Sequence, residues 1–339
     1  MSRFILKRLI GSVFVLLTIV TLALWITRMA PSNPCLKERA TNTCGCIAVN
    51  KLDRPVFPVY TSVPLEPVEA CDAWEPASEV TLGPIHILTS GWGDTQYAHY
   101  MIPLLTSFDL GQSMKTDRGV GETLWAALPY TLQLGLQALF VALLIGVPAG
   151  LYAGLRQNTM ADYSTMTLAM IGVSIPNFVL GPLLIMFFAL DLGWFRPNGW
   201  DSWVDSVLPS ITLGLYYAAY IARLTRGGML EIIRKDFIRT ARAKGLTEHA
   251  VVVAHAMRGA ILPVVSYMGP AVAALLAGSV VVEEIFNLPG VGKLFVRAAL
   301  NRDYNMVLGT VILYSTVLVF LNLLVDILYT VIDPRVSYD

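Results

Sequence analysis

The chain has 339 residues, with 24 basic and 24 acidic side chains and so no formal net charge. It is 55% hydrophobic and only 14% charged, against about 25% charged for an ordinary soluble domain, and this excludes a simple soluble fold. The even charge balance also excludes a general polyanion-binding surface, so nucleic acid is not an expected partner.

About 20 apolar residues are needed to cross a hydrocarbon core, so the gaps between ionisable residues mark the candidate spans. The first runs from Leu9 to Thr27, behind Arg3, Lys7 and Arg8. A basic front end and an apolar core also suit a cleaved signal. The core, however, is longer than the roughly 7 to 15 residues of a signal and no clear small-x-small site follows it, so an uncleaved helix is expected. Residues 1–30 are then the amino-terminal end and first helix.

Residues 31–121 form a long loop that holds all four cysteines, Cys35, Cys44, Cys46 and Cys71. In an oxidising compartment two disulfides are the natural outcome, and four cysteines allow three connectivities, among which the sequence does not choose. Cys44 and Cys46 flank a single residue, so pairing each with a more distant partner is easier than pairing them together. A metal or iron–sulfur site is the alternative, but CxxC spacing is absent and no histidine precedes His86, so no metal is expected. Prolines and acids such as Pro55, Pro58, Pro64, Glu66, Glu69 and Asp72 favour an extended, tethered excursion over a compact domain. Gly91 to Ser113 reads as a return along the membrane surface, with Trp92, Tyr97, Tyr100 and Phe108 either interfacial anchors or ordinary loop aromatics.

Residues 122–339 hold five more charge-free stretches: Thr123 to Leu155, Tyr163 to Leu190, Ser206 to Ala222, Gly259 to Val282 and Tyr304 to Val325. The runs lack the alternation of a barrel, and lipid tolerates no unsatisfied backbone, so each is expected to be helical and the chain an all-α membrane protein of six spans. Gly146, Pro148, Gly150 and Gly154 point to close packing or a bend in the second span. Ser174, Pro176 and Pro182 predict a bend in the third. Asp326 interrupts the sixth, in a snorkelling or hydrogen-bonding role rather than a proton relay.

Lysines and arginines concentrate on one side, at Arg3, Lys7, Arg8, Arg156, Arg223, Arg226, Arg234, Lys235, Arg239, Arg242, Lys244, Arg258 and Arg335. The other side, the long loop aside, has only Arg196, Lys293, Arg297 and Arg302, so both termini are expected in the cytoplasm.

The one sizeable cytoplasmic segment is 223–262. Its periodicity puts Ile232, Ile238 and Ala241 near one face and Arg234, Lys235, Arg239 and Arg242 on a basic one. Gly245 offers a helix stop, and a second amphipathic run follows from Thr247 to Arg258. Such a pair of short helices suits a membrane surface or the docking of a soluble partner. Glu283 and Glu284, at the outer end of the fifth span, read either as a solvated helix end or as a lining of the exit. Gly290-Val291-Gly292-Lys293 is not a phosphate loop, since the earlier glycine and the following Ser or Thr are missing.

Arg239-Thr240-Ala241-Arg242-Ala243-Lys244-Gly245 is similar to the cytoplasmic "EAA" signature of ABC importers. Arginine replaces the signature glutamate, and Leu262-Pro263 falls farther from the glycine than the general pattern has it, two departures shared by the peptide branch. Leu52-Asp53-Arg54-Pro55, Phe108 to Ser113, Leu276-Ala277-Gly278 through Gly292, Arg302-Asp303-Tyr304 and Asp333-Pro334-Arg335 resemble further motifs of that branch, whereas Pro31-Ser32-Asn33-Pro34 and the stretch around Cys71 depart from it. The chain thus resembles, over nearly its whole length, the permease subunits of dipeptide and oligopeptide ABC importers.

That resemblance implies a type I ABC importer permease fold in the bacterial inner membrane. It implies a second homologous permease subunit, two ATP-binding subunits that hydrolyse ATP with Mg, a periplasmic substrate-binding protein and a peptide-like substrate moved by alternating access. This chain itself would then be no enzyme. The implied ATPase-coupling residues are Arg239, Thr240, Ala241, Arg242, Ala243, Lys244, Gly245 and Leu246, and those of the translocation path or outer gate are Glu283, Phe286, Pro289 and Gly290. An ion-driven transporter would instead show ionisable groups in the spans and an internal repeat, which the sequence lacks. A receptor built around the cysteine loop is the remaining rival.

Overall fold

A computed structural model describes residues 2–29, 59–61, 78–82, 85–89 and 96–332. The four cysteines, and with them the disulfide expectation, lie outside the described residues. In chain order the elements are α1 (Ser2–Met29), β1 (Val59–Thr61), β2 (Ser78–Leu82), β3 (Ile85–Thr89), α2 (Gln96–Ser107), α3 (Val120–Leu155) and α4 (Met160–Ser174). They continue as α5 (Asn177–Asp191), α6 (Val207–Ile232), α7 (Asp236–Ala243) and α8 (Glu248–Ala260), then α9 (Leu262–Ile285), α10 (Val291–Asn301) and α11 (Tyr304–Ile332).

The chain divides into two compact units, one of residues 1–126 with 294–316, the other of 127–293 with 317–339. In the first, α1 presents Val20 and Leu24 to Tyr100 and Met101 of α2 and to Leu308 of α11. Tyr100 is therefore buried in packing and is no membrane-surface anchor, whereas Phe108 is exposed. The excursion after α1 also holds a three-stranded antiparallel sheet in the order β1-β3-β2, with Val80 opposite Ile87 and Tyr60 opposite Leu88. This sheet adds to the all-helical core. The β-branched runs Val80-Thr81 and Ile85 to Thr89 favour strands locally, against the proline-rich composition around them.

The second unit is built around α6, against which α4, α5, α8 and α9 all pack. The glycines of α3 work as expected for close packing. A Cβ on Gly146 would stand 2.5 Å from the Ala218 carbonyl oxygen, and side chains at Gly150 and Gly154 would meet Thr225 and Met229. Glycine every fourth residue thus gives α3 a groove into which α6 settles. Gly214 on α6 does the same in return beneath the Ala138 carbonyl.

Among the described residues three helices are long and apolar enough to cross a membrane, or up to five if each bent pair counts as one span, and Gly11–Thr27 of α1 is a shorter apolar stretch. The third span is not merely kinked: α4 and α5 meet at 101°, because Ile175 and Pro176 both leave helical geometry. The fourth, expected to end near Ala222, continues as helix to Ile232. Arg223, which ended the apolar stretch, stays exposed beside the Tyr220 ring, and Arg226 one turn later pairs with Asp162, so the helix carries on past both.

Candidate functional site

The segment expected to couple begins where α6 stops at Ile232. After a turn at Arg234-Lys235, α7 starts, and it buries only Ile238 and Ala241. These two enter a cluster with Met229 of α6 and Val251, Val252, Ala256 and Ala260 of α8, bordered by Leu151 of α3. Burying an isoleucine fully contributes about 1.5–3 kcal/mol, which ties α7 to the bundle on this one side. Of the residues implied to couple, only Ala241 points inward. Arg239, Thr240, Arg242, Ala243, Lys244, Gly245 and Leu246 are all exposed.

The stop at Gly245 has a definite mechanism. Gly245 has φ +77°, its N–H donates to the Arg242 carbonyl (2.9 Å), and the Leu246 N–H donates to the Ala241 carbonyl (3.4 Å). This paired reversal satisfies the last carbonyls of α7 and needs the left-handed conformation that glycine adopts freely. Thr247 then caps α8 by accepting from the Ala250 N–H, and Arg242 forks onto Glu248 at 2.7 and 3.3 Å across the turn. Both partners of that ion pair are exposed, so it shapes the turn more than it stabilises it.

A second anchor lies at the foot of α4. The Arg226 Nε and Nη2 donate to the two carboxylate oxygens of Asp162 at 2.6 and 2.7 Å, and the Asn158 N–H donates to the same group at 3.0 Å. Arg234 reaches Gln157 at 3.1 Å. The α3–α4 turn is therefore tied both to α6 and to the turn that leads into α7. The sequence reading counted Arg226 as a surface charge. A lone acid at the head of one span and a pair of arginines, Arg223 and Arg226, late in the next helix was the available signal.

At the far end of α9, Glu283 is fully buried, which overturns the solvated-end reading for it, while Glu284 remains exposed. Thr131 of α3 donates its hydroxyl to one Glu283 oxygen at 2.8 Å, and the Lys293 N–H donates to the other at 3.1 Å. The Val291 N–H in turn donates to the Thr131 hydroxyl at 2.9 Å. The amino terminus of α10, which resembles part of a phosphate loop in sequence, thus has the chain's own carboxylate as its anion. Gly290 and Gly292 are needed for the approach: a Cβ at Gly290 would collide with the Glu283 carboxylate, and one at Gly292 would lie 2.6 Å from Val280 Cα. Phe286 is buried with this knot and Pro289 is exposed, so the expected gate residues come together around Glu283, with only Pro289 facing out.

In the first unit two motifs meet. Asp303 caps α11 by accepting from the Met306 N–H (3.2 Å), and it also accepts from the Met114 N–H (3.1 Å) and the Ser113 hydroxyl. Asn305 donates to the Gln112 carbonyl at 2.9 Å. The Phe108-to-Ser113 and Arg302-Asp303-Tyr304 segments are thereby joined through the buried Ser113 and Asp303. Among the described residues no group of His, Cys, Asp and Glu is arranged to hold a metal ion.

Residues 146–338, more than half of the chain, match the family model described as "Binding-protein-dependent transport system inner membrane component". The chain is 39% identical over 341 residues to the oligopeptide transport system permease protein OppB of Escherichia coli (strain K12), covering 100% of both. It is 36% identical over 341 residues to the dipeptide transport system permease protein DppB of Bacillus subtilis (strain 168), covering 99% of this chain and 98% of that one. In fold it is similar to a chain from inward-facing conformations of the MetNI methionine ABC transporter, with a TM-score of 0.51 and 22% identity over 64% of this chain and 98% of that one.

Proposed function

Because this chain belongs to the family of binding-protein-dependent transport system inner membrane components, we propose that it is the permease subunit of a peptide ABC importer, which passes peptides inward by alternating access. Six spans with both termini in the cytoplasm fit its run of apolar helices and its basic loops. A second homologous permease, two ATP-binding subunits and a periplasmic binding protein complete the assembly, and ATP with Mg is hydrolysed in those partners. Disulfides in the loop at Cys35, Cys44, Cys46 and Cys71 belong to the same reading, since that orientation puts the loop in the periplasm.

The observation that carries the mechanism is the lopsided attachment of α7. Its apolar side is locked to α6, α3 and α8, and its polar side, from Arg239 to Leu246, is open. A partner that pushes on the open side moves the bundle ends to which the other side is fixed, and packed helices transmit such displacement nearly rigidly. Glu283, Phe286, Pro289 and Gly290 then act at the other end as the joint of the outer gate, where α9 hands over to α10.

The test is ATP-driven tripeptide uptake by the complete assembly in proteoliposomes. A Cβ on Gly245 meets nothing within 4 Å, so substitution there disturbs the chain only through backbone strain, about 1–2 kcal/mol. Gly245→Asn, which tolerates the left-handed backbone, should keep most uptake. Gly245→Trp should abolish uptake while the protein still inserts, because its bulk stands in the docking surface. Equal uptake by the two variants would remove α7 from the energy path.

A further inference from the structure

Within the second unit one outward surface is chemically unlike the rest. Along α4 and α5, between Tyr163 near the start of α4 and Asp191 at the end of α5, the exposed large side chains are apolar, among them Leu168, Ile171, Phe178, Leu183 and Phe187, as a lipid face requires. On α6 between positions 207 and 227 the exposed residues are Tyr216, Tyr220, Arg223 and Gly227, whose spacing of four, three and four keeps them on one stripe. Beside them on α9, among the described residues from 262 to 274, the exposed ones are Pro263, Ser266, Pro270 and Ala274, and Tyr267 is half-buried. The two helices are joined on this side by the rings of Tyr220 and Tyr267, stacked at 4.6 Å with 27° between their planes. The Arg223 guanidinium lies 5.2 Å from the centre of the Tyr220 ring.

Over positions 207–227 and 262–274 such a face is poorly suited to hydrocarbon. Among the described residues there it offers no exposed leucine, isoleucine, valine or phenylalanine, the next being Val281 toward the far end of α9, and it carries phenolic hydroxyls and a cation, groups that within spans turn toward a bundle interior or a water-filled cavity. Resting on the importer reading, we propose that this tyrosine–arginine face lines the aqueous passage and is the surface that the peptide slides across. The half-exposed rings of Tyr216 and Tyr220 take apolar side chains, as aromatic side chains with a polar tip do elsewhere. Their hydroxyls and that of Ser266 offer hydrogen bonds to backbone amides that have left water, and Arg223 meets the peptide's terminal carboxylate. Because none of these contacts reads the identity of a side chain, the face accepts peptides of varied sequence.

The experiment uses the complete assembly in proteoliposomes with Tyr220→Cys, Ser266→Cys or, as a lipid-facing reference, Leu183→Cys. A charged, membrane-impermeant thiol reagent is applied from either side and modification is read site by site by peptide mass spectrometry, so the native cysteines do not interfere. Positions 220 and 266 should react about tenfold or more faster than 183, since a charged reagent enters water and not lipid. Saturating tri-alanine should slow both. Ser266→Cys is nearly isosteric and keeps the test valid if Tyr220→Cys folds poorly. Rates no faster than at 183 overturn the proposal, as does a crosslink from position 220 to the second permease, which would make the face a subunit contact. Rates that tri-alanine leaves unchanged in an assembly that transports it overturn the peptide contact. An assembly that takes up no peptide under ATP overturns the importer reading, and a separate uptake measurement on the parent protein distinguishes that failure.

Discussion

Glu283 shows how one side chain sets the local chemistry of an entire turn. A carboxylate at the carboxyl end of α9 is unfavourable for that helix, yet it is stabilised because the amino terminus of α10 and the Thr131 hydroxyl converge on it. Its removal leaves the Lys293 N–H and the Thr131 hydroxyl without their acceptor in a buried site. Glu283→Ala should therefore lower stability by about 3 kcal/mol, read as a drop in the unfolding midpoint of the solubilised assembly. Glu283→Gln, which keeps an acceptor, should lose clearly less. Equal losses would mean that volume and not hydrogen bonding holds the turn. The same knot accounts for Gly290 and Gly292, which have no room for a side chain.

At the scale of elements, the contact of α3 with α6 is decided by missing side chains. Gly146, Gly150 and Gly154 let the backbones approach until a methyl group would overlap Ala218, Thr225 or Met229. In lipid this close fit takes the place of the hydrophobic effect as the force between helices. Gly150→Leu should separate the helices and destabilise the unit by about 1–3 kcal/mol, with reduced yield of folded protein, whereas Gly121→Leu on the same helix, where a Cβ meets nothing within 4 Å, should be tolerated. Thermal unfolding in detergent separates these outcomes. The glycine spacing was legible in the sequence because packing of small residues repeats with the helical turn. The 101° break between α4 and α5 was legible only as a proline kink, since its size depends on two consecutive residues turning extended together.

At the scale of the whole molecule, the proposed function makes the chain a transmitter and leaves nucleotide chemistry to its partners. The only stretch that imitates a phosphate loop, Gly290 to Lys293, already has its backbone donors directed at Thr131 and Glu283. The purified chain alone should accordingly hydrolyse no ATP above background, and hydrolysis should appear only when the ATP-binding subunits are added. Turnover by the lone chain would contradict this division of labour.

The sequence alone determined the membrane class, the predominantly helical character, the helix stop at Gly245 and the resemblance to peptide permeases. All of these follow from local periodicity, charge spacing and short motifs, which are properties of neighbouring residues. Only the tertiary structure decided that Glu283 is buried, that Arg226 pairs with Asp162 and that Ser113 meets Asp303 across 190 positions. It alone brought Tyr220 and Tyr267 into contact on one face. The physical reason is that a polar side chain in a span is equally compatible with water, a partner or a helix end until a second helix is laid beside it, and that choice depends on residues far away along the chain.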